Sequence, residues 1–129
     1  MIKSKFHIPI YGIDITMIQI ENSNDKEPIR KLLNSIGARE EDVQTTLDNI
    51  ENKSTNGGDT YRWLEARKMT IVFFPFTNSD ERINIFDHEK RHVEDRILEF
   101  FSVQDNESAA LLAGYLGVQF RKFEKLTEK

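Results

Sequence analysis

The run Met69-Thr-Ile-Val-Phe-Phe74, closed by Pro75, constrains the fold more than any other stretch of this chain. β-Branched and aromatic residues follow one another without a polar break, which suits a largely buried strand, and proline ends it because it cannot donate to a ladder. Such a strand needs other elements to cover it. Phe6 to Ile20 supplies alternating Phe6, Ile8 and Ile10, then Ile13 and Ile15, which reads as strand with a bend or bulge at Gly12. Tyr61 to Ala66 is positioned to pair with the buried run, and Lys53 to Thr60, with Gly57-Gly58, reads as a loop.

The remaining periodic segments are helical. Residues 25–36 place Ile29, Leu32, Leu33 and Ile36 on one face, tolerate Pro28 in the first turn and stop at Gly37. Glu40 to Asn52 uses Val43, Leu47 and Ile50. Ser79 is the expected capping hydroxyl of a third helix reaching about Phe101, with Asp80 and Glu81 suited to the positive end of its dipole. The polar break Gln104-Asp105-Asn106 opens a fourth. The order β, α, α, β, α, α describes an α+β fold, a small β-sheet packed against helices. At 129 residues, 38% hydrophobic and with nine phenylalanines, the chain has the size and the apolar content for one core.

Charge and cysteine content narrow the function. Eighteen Lys and Arg stand against 22 Asp and Glu, a net of −4, and the basic residues are scattered, so a nucleic-acid partner is not expected. No stretch approaches the roughly 20 apolar residues that span a bilayer, so no membrane partner is expected either. The N-terminal stretch breaks its apolar character before a signal-peptide core forms, and the cytoplasm is the simplest location. Without cysteine, any metal site must be built from His, Asp and Glu.

Asp87-His88-Glu89-Lys90-Arg91-His92 supplies such a site, an H-E-x-x-H pattern inside the third predicted helix. Random order would give that pattern in under roughly 1% of chains of this composition. At helical spacing His88 and His92 lie one turn apart on one face, away from the apolar stripe of Phe86, Val93, Ile97 and Phe100, and can reach one zinc ion. Glu89 lies beside that face, where it can accept a proton from water as a general base. A catalytic zinc needs a further ligand, and Glu107, opening the next helix 15 residues after His92, is the choice. Ala109, Ala110, Ala113, Gly114 and Gly117 would let the two helices approach closely. Asp95 and Glu99 share the histidine face but converge poorly from one straight helix, and His7 is a distant rival.

HEKRH followed by NESAALLAGYL resembles the zincin metallopeptidases of the gluzincin kind, and in particular the compact intracellular ImmA/IrrE-like peptidases of phage immunity and stress regulation. The resemblance covers about residues 69–118. It implies one zincin-like domain over 1–129, a zinc cofactor held by His88, His92 and Glu107, Glu89 as the catalytic base, and a peptide or protein substrate lying along Met69–Phe74 as the sheet edge. Lys90, Arg91 and Glu94 depart from the pattern, which usually has uncharged residues at the first two positions and an apolar one at the third. The alternative expectation is a non-catalytic, zincin-shaped protein-binding module of phage or mobile-element origin.

Overall fold

The computed structural model describes residues 1–128. Strands β1 (Ile2–Ile8) and β2 (Ile13–Gln19) are followed by helices α1 (Lys26–Ser35) and α2 (Glu40–Glu51). Strands β3 (Gly58–Trp63) and β4 (Lys68–Phe73) then lead into the long helices α3 (Ser79–Phe100) and α4 (Asn106–Thr127). The four strands form one mixed sheet in the order β1-β2-β4-β3, with β2 and β4 parallel and both outer pairs antiparallel.

The bend expected at Gly12 is a full chain reversal. Gly12 takes a positive φ of 63° and its N–H donates to the Ile8 carbonyl at 2.8 Å, so the predicted strand is a β1-β2 hairpin. The supposed loop through Thr60 is also shorter than its composition suggests, because Gly58 already begins β3.

β2 and β4 are covered on both faces. On one, Ile13, Ile15, Met17, Met69, Ile71 and Phe73 pack against Phe86, Val93 and Ile97 of α3 and Leu112, Leu116, Phe120 and Phe123 of α4. On the other, Ile18, Val72 and Phe74 meet Ile29 and Leu33 of α1 and Val43, Leu47 and Ile50 of α2. The connection from β2 to the parallel β4 is long enough to carry α1, α2 and the returning β3, as a parallel pair requires. Burial of an aliphatic or aromatic side chain contributes about 1.5–3 kcal/mol, so these two layers hold the sheet and thereby fix α3 relative to it. Among the described residues, no helix is long and apolar enough to cross a membrane.

Candidate metal centre

α3 is capped one residue earlier than expected. Asn78, not Ser79, has the extended backbone of an N-cap, and its side chain accepts from the Glu81 N–H at 2.9 Å. From there the helix runs 22 residues without proline or glycine, long enough to carry the whole H-E-x-x-H segment at mid-length.

His88 and His92 converge as their one-turn spacing requires. Their Nε2 atoms stand 3.0 Å apart with the rings nearly perpendicular, and His88 is exposed while His92 is half-buried. Two nitrogens bound tetrahedrally to zinc at its usual bond lengths lie about 3.3 Å apart, so this pair is within a few tenths of an ångström of what the ion demands. A Glu89 carboxylate oxygen completes the group: one ligand atom from each of His88, Glu89 and His92 lies within 4.8 Å of the others. The donor set of two imidazoles and a carboxylate suits zinc.

Glu89 is 4% exposed. Thr60 on β3 donates to its Oε2 at 2.5 Å, so the carboxylate is held toward the sheet. Burial pushes its pKa above the ordinary carboxylate value, against the lowering effects of the Thr60 hydroxyl and the two imidazoles. The close approach of helix to strand depends on Gly58, where a Cβ would come within 3.1 Å of Glu89 Cγ. Neither Thr60 nor Gly58 was marked by the sequence, because the glycine pair has the look of a turn. The signal available was the alternation along Gly58–Trp63, which sends Thr60 to α3 while Asp59 and Tyr61 turn to Thr46 on α2.

Glu107 does not join this group. Arg82 reaches Glu124 and Glu128 at 3.9 and 3.7 Å, and Lys90 Cε lies 3.6 Å from the position of a Cβ on Gly117, so α3 and α4 run antiparallel. In that pairing Glu107 is level with Phe100, about 12 Å along the axis beyond His92. It is exposed, and α4 covers the wrong flank of α3: Lys90, which touches α4, lies about 160° around the helix from either histidine. A short connection does bring the next helix back, but not onto the histidine face.

The rival ligands are also elsewhere. Asp95 is paired with Arg91 at 3.2 Å, Glu99 lines a shallow trough with Arg62 and Arg96, and His7 on β1 is bonded to Asp14 at 2.7 Å. The charges inside the motif stay off the site. Lys90 lays its stem against α4 and pairs with buried Glu94 at 3.2 Å, and Arg91 points outward. The sheet edge beside the histidines is β3, since β4 is paired on both sides, so the edge expected at Met69–Phe74 is one strand out of place. Comparison of the chain with protein-family models, with curated proteins and with solved structures finds no match.

Proposed function

We propose that this chain is a zinc-dependent hydrolase of the zincin kind, most suited to a peptide substrate, with His88 and His92 holding the ion and Glu89 as general base. The observation that carries the reading is the convergence of two imidazole nitrogens at ligand spacing with a buried carboxylate beside them. When bound there, zinc supplies Lewis acidity, polarising a carbonyl and making water a competent nucleophile near neutral pH. The chain's own residues then have separate tasks. Thr60 fixes the carboxylate plane of Glu89. Glu89, with its pKa raised by burial, takes a proton from the attacking water and returns it to the departing amine. The outer edge of β3 offers backbone groups to which an extended peptide could add as a further strand.

The placement of Glu107 favours a second reading, a non-catalytic zincin-shaped binding module, because α4 brings no third ligand to the histidines. One experiment separates the two. Untagged protein is titrated with zinc by calorimetry and then assayed against a mixed peptide library, alongside Glu89→Gln. The hydrolase reading expects one zinc per chain and cleavage by the native protein, with Glu89→Gln retaining zinc and losing cleavage. Zinc binding without cleavage of any peptide, or no binding at millimolar zinc, supports the module, and cleavage that Glu89→Gln abolishes rules it out.

A further inference from the structure

Helix α4 has two faces, and the fold uses only one. Leu112, Leu116, Phe120, Phe123 and Thr127 are buried against the sheet and α3. Diametrically opposite, Glu107, Leu111, Gly114, Val118, Lys122 and Lys125 follow one another at helical spacing along the solvent side. Leu111 and Val118 are 58% and 54% exposed.

Gly114 is the informative residue. A glycine inside a helix costs about 1 kcal/mol relative to alanine, and a Cβ added here would meet nothing within 4 Å. Gly117, one turn on, at least faces the chain, where an added Cβ would stand 3.6 Å from Lys90 Cε; Gly114 faces nothing in it. What a glycine between two exposed aliphatic residues permits is close approach by another backbone or side chain. The apolar surface continues past the helix, because Ile10 at the β1-β2 tip is 79% exposed and shares a groove of about 250 Å3 with Leu111 and Tyr115.

Charge along the stripe identifies the partner. Along the stripe the N-terminal end carries Glu107 and the C-terminal end Lys122 and Lys125, so the face is complementary to itself when reversed. We propose that α4 pairs antiparallel with α4 of a second copy of this chain about a two-fold axis near Leu116, Val118 of each copy packing over Gly114 of the other. In that register Glu107 of each copy is level with Lys125 of its partner, whereas a parallel pair would set like charges together. The face is then isologous, as a two-fold interface must be, and the charges fix its direction. The inference does not depend on the zinc reading.

Sedimentation of the full chain over roughly 1 to 500 μM tests it, since a dimer is drawn together by mass action. The expected result is a concentration-dependent dimer that added salt weakens. Gly114→Leu should weaken association at least tenfold while leaving the monomer's melting temperature unchanged or higher, because the side chain meets open space in one copy and the partner in two. Glu107→Lys and Lys125→Glu should each weaken the dimer about fivefold, and the double exchange should restore it. A chain that stays monomeric throughout, a dimer indifferent to Gly114→Leu, or a double exchange that fails to recover association overturns the proposal.

Discussion

The two flanks of α3 each bury a glutamate, and they treat it differently. On the α4 flank Glu94 is met by the ammonium of Lys90, one turn earlier on the same helix. On the β3 flank Glu89 is met by a neutral hydroxyl and stands beside two imidazoles, with burial holding its pKa up. Burial alone therefore does not fix the setting of an acid on this helix. The partner does: a full opposite charge neutralises the carboxylate, whereas a single hydroxyl orients it and leaves its proton affinity high.

The sharpest way to break this comparison is at the histidines. On the proposed zinc reading, His92→Ala removes one of the two imidazoles and should cost zinc affinity more than about a hundredfold, beyond the loss from removing an orienting partner. Glu107→Ala should leave it within about twofold; competition with a chelating dye reads both, and equal losses would restore Glu107 to the site. On the other flank, Lys90→Ala strands a buried carboxylate and should cost about 2–3 kcal/mol in urea unfolding with no change in zinc affinity. A loss of zinc binding there would show that the flanks are not independent.

Thr60→Val keeps the shape and removes the hydroxyl, and should cost about 1–2 kcal/mol. Because that hydroxyl lowers the Glu89 pKa, its removal should move the Glu89 carboxyl titration further upward, read by carbon NMR of the apo protein. The smallest effect is expected at Asp59, whose pKa burial raises. The native state then holds that proton more tightly than the unfolded chain. The resulting stability is fully present below the unfolded value of about 3.9 and is lost as pH rises through the raised native value. Asp59→Asn should therefore melt a little higher than the native protein at pH 7 and no higher at pH 3; an advantage of equal size at both would assign it to packing instead.

What the sequence made legible was local. The one-turn histidine spacing, three of the four stripe residues of α3 (Phe86, Val93 and Ile97, with Phe100 exposed at the helix end) and the ends of α1 and α2 to within a residue or so follow from the 3.6-residue period, which needs no knowledge of neighbours. The offset of the α3 cap is a matter of side-chain competition, since Asn78 and Ser79 are both capable caps and only the backbone angle decides. What was not legible depended on arrangement. Glu107 has the right type and chain distance for a ligand, yet its side of α3 is set by which flank α4 packs on, and the small residues of α4 point in more than one direction. Met69–Phe74 has the composition of a covered strand, but composition does not say that β3 would take the edge beside it. Thr60 is invisible without that register, being one threonine in a stretch that reads as a turn.

β3 has a strand neighbour on only one side, and its successive side chains grip opposite layers: Thr60 holds α3 through Glu89, and Tyr61 bonds to Thr46 of α2. Its residues are half-buried or exposed, unlike those of β4 from Met69 onward. Local opening begins where few buried contacts must be broken, so β3 should exchange its amide hydrogens well before β2 and β4. Each such excursion would free Glu89 from its tether while both apolar layers stay intact. The carboxylate beside the histidines would thus have a lifetime of its own, shorter than that of the fold that carries it.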